Sequence, residues 1–300
     1  MVRFSVIIPA YNSLRTMPAT IASLLAASHR DYIHEIIVAD SSDDPSSLQY
    51  LANEEAQGHI RLIRLASKTM PSLARNAGAR AATSPYLVFV DSDVMVTEQW
   101  SRIIADFFAG GNMAGGGSVS VPAHQRRSLL PLSQLYLEFS DYIDTAPKRI
   151  KPFVSSCNLF CTKAIFEAVG GFPPVRASED VLFCLQVSRV TELMFLPEVR
   201  VFHVFREIFS HFIQNQILIG KYVNIYRRSL KPRAFYLQGA GALSCVPALI
   251  MVKFLRIAYR IIHSNSSHRM AFLLSLPVFF CGLLSWTYGF IKGGFCDENV

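Results

Sequence analysis

No two cysteines in the chain are spaced Cys-x-x-Cys. This argues against a zinc ribbon or a dithiol redox site for the six at 157, 161, 184, 245, 281 and 296, which are expected to be reduced and packed as small apolar groups. Neither a Gly-x-x-x-x-Gly-Lys phosphate loop nor a Gly-x-Gly-x-x-Gly dinucleotide turn is present, so an ATPase or a dehydrogenase has no support. A long apolar leader is missing too: after Met1-Val2-Arg3 only Phe4 to Ile8 is apolar before Pro9. That pattern is not a signal peptide, and the first domain is expected to stay in the cytoplasm.

Acidic residues are scarce in one region. Residues 206–269 hold ten Lys/Arg and a single acid, Glu207, in a chain of 300 residues with net charge +7. A nucleic-acid binder usually carries its basic patch on the folded domain. Here the charge surrounds apolar stretches, which points to anionic lipid headgroups or a phosphate-bearing lipid substrate and to no nucleic-acid partner. The hydrophobic share of 51% and a mean hydropathy of +0.29 agree with contact to a membrane.

What is present in the first ninety residues is an alternation of strand and helix signals. Phe4–Ile8, Glu35–Ala39, Ile60–Leu65 and Tyr86–Val90 read as strands. Between them lie helical patterns: Leu14, Met17, Ile21, Leu24 and Leu25 as one stripe capped by Asn12-Ser13, a helix opened by Asp44-Pro45, and a helix over Pro71–Ala82. The β-α-β order implies an α/β fold, a mostly parallel sheet with helices on both faces, whose ligands bind beyond the carboxyl ends of the strands. Tyr11 and Asn12, Asp40, and Asp91 with Asp93 all fall at such ends. An Asp-x-Asp directly after a buried strand places two carboxylates at the mouth of the sheet, where they can hold a hard divalent cation against a diphosphate. A turn or capping role is the plain alternative for each of these acids.

Residues 110–125 are expected to form a further strand and turn, and 126–152 a loop-and-helix excursion. Residues 207–226 are amphipathic and read equally as an interfacial helix or as a core helix. Two uncharged stretches follow, Ala234–Val252 and the more apolar Met270–Ile291, each long enough to cross a bilayer. Basic residues on both sides of the first stretch favour a hairpin entering from the cytoplasmic side. The expected domains are 1–205, catalytic; 206–233, interfacial and basic; and 234–300, a membrane helical hairpin.

The motifs Val6-Ile7-Ile8-Pro9-Ala10-Tyr11-Asn12, Glu35-Ile36-Ile37-Val38-Ala39-Asp40-Ser41-Ser42, Ala74-Arg75-Asn76-Ala77-Gly78 and Phe89-Val90-Asp91-Ser92-Asp93 resemble family two of the glycosyltransferases. Ser156-Cys157-Asn158-Leu159-Phe160, Gly170-Gly171-Phe172 and Ser178-Glu179-Asp180 continue the resemblance in order, over about residues 3–205. It implies a GT-A fold, a nucleotide-sugar donor (UDP-sugar first, GDP- or dTDP-sugar as alternatives) and Mn²⁺ or Mg²⁺. It also implies roles. Pro9, Ala10 and Tyr11 would line the nucleobase and ribose; Asp40 would bond the base, although Ser41 stands where the family often has a second Asp. Arg75 would approach the base or diphosphate. Asp91 and Ser92 would lie at the nucleotide, with Asp91, Asp93 and His203 at the metal. Asp180, paired with Glu179, would be the catalytic base of an inverting displacement. Gln-x-x-Arg-Trp is absent after Asp180, so the resemblance does not extend to processive synthases, and a single-sugar transfer is expected. The acceptor would be a lipid-linked glycan, a glycolipid or a surface polysaccharide at the cytoplasmic face of the cell membrane. A catalytically silent nucleotide-sugar-binding membrane subunit is the alternative; a sugar-phosphate nucleotidyltransferase is disfavoured by the lack of a basic Gly-rich N-terminal loop.

Overall fold

The structure is a computed structural model that describes residues 2–231 and 233–296. The chain divides into two compact units, Met1–Ser120 with Pro147–His203, and Val121–Ala146 with Val204–Val300.

The first unit is built on one nine-stranded mixed sheet. Its strands are β1 (Phe4–Ala10), β2 (Ile33–Asp40), β3 (Arg61–Arg64), β4 (Tyr86–Val90), β5 (Val94–Val96), β6 (Ala114–Ser120), β7 (Arg149–Ile150), β8 (Asn158–Thr162) and β9 (Leu193–His203). They lie in the order β3-β2-β1-β4-β8-β6-β9-β5, with β7 pairing with β9. Pairs among β1 to β4 are parallel, as the alternating pattern predicts, whereas β8 runs antiparallel to both β4 and β6. The near-continuous apolar runs Val6-Ile7-Ile8 and Leu87-Val88-Phe89-Val90 are fully buried, as strands covered on both faces require. Asn158 holds the second half of the sheet together. Its Nδ2 donates to the Val199 carbonyl at 2.8 Å and its Oδ1 accepts from the Trp100 indole at 3.0 Å.

The covering helices are α1 (Met17–Leu24), α2 (Pro45–Ala56), α3 (Pro71–Ala81) and α4 (Trp100–Ala109). Asp44 caps α2 as read from sequence, its carboxylate accepting from the Ser47 amide at 2.8 Å with Pro45 in the first turn. Asn12 does not cap α1. It sits at φ 48°, and its Oδ1 accepts from the amides of Asp43 and Asp44, both at 3.1 Å. The loop after β1 is thereby stapled to the loop after β2, and α1 begins later, at Met17, after an N-cap Thr16 whose side chain makes no capping bond.

In the second unit, α5 (Leu129–Phe139) is buried on nearly all sides, including Leu132, Leu135, Tyr136 and Leu137. The first unit ends at His203, beside the boundary expected at 205, but residues 121–146 group with the C-terminal unit. The excursion after β6 belongs to the C-terminal unit because its apolar helix finds its partner there. Completing the helices are α6 (Lys163–Ala168) and α7 (Glu179–Val187) in the first unit, and α8 (Phe209–Leu230), α9 (Gly239–Ser244), α10 (Val246–Ile262) and α11 (Ser266–Gly294) in the second. Ala234–Val252 is therefore not one spanning helix. A short 3₁₀ turn, α9 and the start of α10 divide it, the breaks falling at Gln238-Gly239 and just before Pro247. Among the described residues only α11 is long and apolar enough to cross a membrane.

Helix α8 is a packed helix. Phe212, Gln216, Gly220, Asn224 and Ile225 are buried, and the backbones of α8 and α11 touch. A Cβ on Gly220 would overlap the Trp286 carbonyl, and one on Gly289 would overlap the carbonyl of Ile217. Close helix approach through small residues is the device by which helices pack backbone to backbone. Replacing Gly289 by Ala should therefore destabilise the second unit by about 1–3 kcal/mol, the usual cost of overpacking, despite alanine's better helix propensity. Thermal unfolding followed by circular dichroism checks this; an unchanged or raised Tm would contradict the close approach.

Candidate active site

Three of the predicted site residues converge because of one strand pairing. Asp91 and Asp93 sit in the turn between β4 and β5, and β5 runs antiparallel to β9 with Val94 opposite His203. The register brings the imidazole of His203 beside the turn, its Nε2 3.6 Å from Asp93 Oδ1. One ligand atom from each of Asp91, Asp93 and His203 lies within 4.8 Å of the others. Thr20 on α1 fixes the turn by donating from its Oγ1 to the Ser92 carbonyl at 3.1 Å. Two carboxylates and one imidazole form a hard-to-borderline donor set that fits a divalent cation.

Arg75 connects this cluster to α7. It projects from α3, is almost fully buried, and forks between Asp91 Oδ1 at 2.6 Å and Glu179 Oε1 at 2.9 Å. Burial works against its charge, but Asp91 and Glu179 more than offset that, and the guanidinium pKa rises above its ordinary value. Beneath it lies the Phe172 ring, 5.5 Å from the guanidinium carbon. Phe172 is held in turn by Asn76, whose side-chain amide bonds both its N–H at 2.9 Å and its carbonyl at 2.8 Å.

Asp180 is the next residue on α7, in the first turn with Glu179. Its carboxylate accepts from the amides of Val181 at 2.8 Å and Ser156 at 3.4 Å. Burial raises its pKa, Glu179 adds to that, and Arg75 with the two amides pulls the other way. The carboxyl is pushed up to about 7, in the range where a general base is both ionised and basic.

A cleft of about 230 Å³ opens at the strand ends, lined by Pro9, Ala10, Tyr11, Thr69, Pro71, Ala74, Arg75, Asp91, Ser92 and Asp93. Seven of these are residues singled out from the sequence. Asp40 is not among them. It is completely buried at the end of β2, bonded by Ser42 and ion-paired with Arg64, which the parallel register places opposite it on β3. Sequence reading gave no role to Arg64, Ser42 or Lys68, the last 4.3 Å above the Tyr11 ring. Only the strand register exposes the first, and no periodic signal marks Lys68 in its loop. Tyr11 is oriented by its hydroxyl, 3.0 Å from Asp43.

A parallel half-sheet joined to a mixed one, with a carboxylate–imidazole cluster at the carboxyl ends of its strands, defines a GT-A-type domain. Residues 5–170 match the family described as Glycosyl transferase family 2, and the chain belongs to that family. Similar proteins include the amylovoran biosynthesis glycosyltransferase AmsB of Erwinia amylovora, 31% identical over 34% of this chain and 33% of the relative. N-acetylgalactosaminyltransferase 6 of Drosophila melanogaster is 37% identical over 32% of this chain and 15% of its own length. The matched region thus spans a third or less of these curated relatives. Among solved structures, GalNAc-T7 with UDP, GalNAc and Mn²⁺ superposes with a TM-score of 0.57 at 16% identity, covering 76% of this chain and 50% of that one. Staphylococcus aureus TarS superposes with a TM-score of 0.51 at 16% identity, covering 97% and 55%. At these identities the likeness establishes the fold.

Two outcomes test the site. Arg75→Met leaves the Asp91 and Glu179 carboxylates facing each other without their cation and should cost about 3–5 kcal/mol of stability, the usual penalty for breaking a buried pair. Denaturant unfolding measures it, and adding Glu179→Gln should recover part of the loss. Asp180 gives a pH signature. Its folded-state pKa of about 7 lies above the ordinary 3.8, so the folded chain holds this proton more tightly than the unfolded one. The group's contribution to stability is full below 3.8 and is lost as pH rises through about 7. Asp180→Asn does not titrate there, so its Tm relative to the parent protein should be higher at pH 8 than at pH 5 by circular dichroism.

Proposed function

We propose that the chain is a metal-dependent inverting glycosyltransferase that moves a single sugar from a nucleotide-sugar donor to a membrane-associated acceptor. The observation that carries this reading is the link through Arg75 between the Asp91–Asp93–His203 cluster and the acid pair Glu179–Asp180. A leaving-group site and a proton acceptor are coupled by one buried cation.

In this reading Asp91, Asp93 and His203 hold a divalent cation, Mn²⁺ favoured by the imidazole. A cation held there would supply the positive charge that a departing nucleoside diphosphate needs. Pro9, Ala10 and Tyr11 form the wall against which the nucleoside lies, and Ser92 borders it. Asp40 acts from behind that wall, holding the loop after β2 through Ser42 and Arg64; contact with the base would require it to exchange Arg64 for the nucleotide. Arg75 keeps Asp91 aimed at the cluster and holds Glu179 in place beside Asp180. The negative charge of Glu179 in turn supports the raised pKa of Asp180. Asp180 takes the proton of the acceptor hydroxyl as its oxygen attacks the anomeric carbon and the bond to the diphosphate breaks, which inverts the configuration.

UDP is the first nucleotide to test, because the structural neighbour GalNAc-T7 is described with UDP and Mn²⁺; GDP and dTDP follow. The acceptor proposed is a lipid-linked glycan, a glycolipid or a growing envelope polysaccharide. Support for that class comes from the apolar, basic second unit and from the likeness to AmsB, named for amylovoran biosynthesis. The proposed location is the cytoplasmic face of the cell membrane.

Titration calorimetry of the full chain with UDP, GDP and dTDP should show binding by one of them that requires Mn²⁺. His203→Ala should weaken the Mn²⁺ dependence, and Asp180→Asn should abolish transfer while leaving nucleotide binding intact. Transfer retained by Asp180→Asn would remove this residue from the mechanism. Metal-dependent nucleotide binding without donor hydrolysis by the parent protein would instead favour a silent binding subunit.

A further inference from the structure

Helix α11 is the one described segment with the length and composition of a membrane span, yet its packing is incompatible with crossing a bilayer. Its buried face, which includes Phe272, Phe279, Gly282, Trp286 and Gly293, is covered along the helix by α5 and α8 of the same unit. Near its middle, Gly282 receives Leu137 of α5 and Phe212 of α8. Immediately beside those two residues, Glu138 accepts from Gln216 at 2.6 Å and from Asn215 at 3.1 Å. Further along, Gly293 packs on the Lys221 carbonyl. If α11 spanned, the polar helix α8 would be drawn into hydrocarbon with it, Glu138 and Gln216 included. A charged side chain near the bilayer centre costs several kcal/mol, and no water is there to satisfy the amides.

Between Met270 and Tyr288 the opposite face of α11 is exposed and free of charge, with Arg269 and Lys292 exposed at its two ends. Leu273, Leu284 and Tyr288 are more than half exposed, in a helical stripe that runs from Met270 to Tyr288. Helix α10 repeats the arrangement. It buries Ile257 and Ile261 and exposes Leu255 and Tyr259, with Arg256 exposed beside them. Of the 25 large apolar side chains exposed among the described residues, 15 lie between Phe235 and Phe295. Residues 208–296 carry ten Lys/Arg and no acid. The acids of the unit's first segment are engaged internally, Asp141 with Arg260 at 3.3 Å and Asp144 with His268 at 3.0 Å.

We infer that the second unit is a monotopic membrane-binding module: α10 and α11 lie in the plane of an anionic bilayer, with their bare faces in the acyl boundary and no segment crossing. An apolar stripe parallel to the helix axis and a basic, acid-free surround are what an interfacial helix requires, and what a helix that crosses the hydrocarbon does not. The occupant is an anionic lipid surface because the charge around the apolar face is of one sign. A second copy of this chain would bring the same positive charge against it. The inference deepens the membrane association proposed above. Its readout is lipid binding and topology, so it can fail while the transferase reading stands.

The test uses the full chain. Flotation with phosphatidylcholine vesicles, alone or mixed with phosphatidylglycerol, should show binding that needs the anionic lipid and weakens with salt. Leu255→Glu with Leu284→Glu, both at exposed positions, should lower vesicle partition about tenfold or more while leaving Tm unchanged. Topology is read in sealed membrane vesicles from expressing cells. Cys245, Cys281 and Cys296 are replaced by Ser, leaving the buried Cys157, Cys161 and Cys184, and one accessible cysteine is placed by Ser267→Cys or Phe295→Cys. An impermeant maleimide should label both positions from the same side. Labelling of the two from opposite sides would show that α11 spans and would overturn the inference. So would a full chain that fails to float with anionic vesicles, or one that covers the face in a stable dimer broken by the Leu255→Glu, Leu284→Glu variant.

Discussion

The site is organised around one buried cation. Arg75 pairs its buried charge directly with Asp91 and Glu179, and those two carboxylates come from distant parts of the chain: the turn after β4 and the start of α7. A guanidinium suits this position because its planar fork meets two carboxylates at fixed angles and it stays charged when buried, which an ammonium does less reliably. The same residue lies over Phe172, and Phe172 stacks on Phe183 of α7 at 4.3 Å between ring centroids. Charge and packing thus fix the same helix, and with it the position of Asp180.

The parallel half of the sheet was legible from the sequence because buried parallel strands read as apolar runs and the turns between them carry polar residues. Asp44-Pro45 was legible for the same local reason. Asn12 was not: a capping residue and a residue that staples two loops look alike until the second loop is known. Asp93 and His203 were each singled out, but nothing local in the sequence says that β5 and β9 pair antiparallel so that the two side chains meet. The burial of Asp40 behind Arg64 depends likewise on the register of β2 with β3.

The C-terminal part was legible in composition and not in arrangement. Hydropathy finds Met270–Ile291 and cannot tell whether one of its faces is already occupied. The glycines at 220, 282, 289 and 293 are the sequence trace of that occupation, since they permit α8 and α5 to lie against α11. Ala234–Val252 shares the composition of a span, but its chain is broken at Gln238-Gly239 and before Pro247.

The placement of α5 has a consequence for synthesis on the ribosome. This helix leaves the exit tunnel between two strands of the first unit's sheet, but α11 begins at Ser266, long after α5 ends at Phe139. At ordinary elongation rates that interval of roughly 130 residues lasts on the order of ten seconds. Throughout it, a helix whose final surroundings are largely apolar lacks its main cover and meets only α8 part-way through, while β7, β8 and β9 must still reach the sheet from beyond it. A nascent chain in that state is a natural client for a chaperone or for an early encounter with lipid.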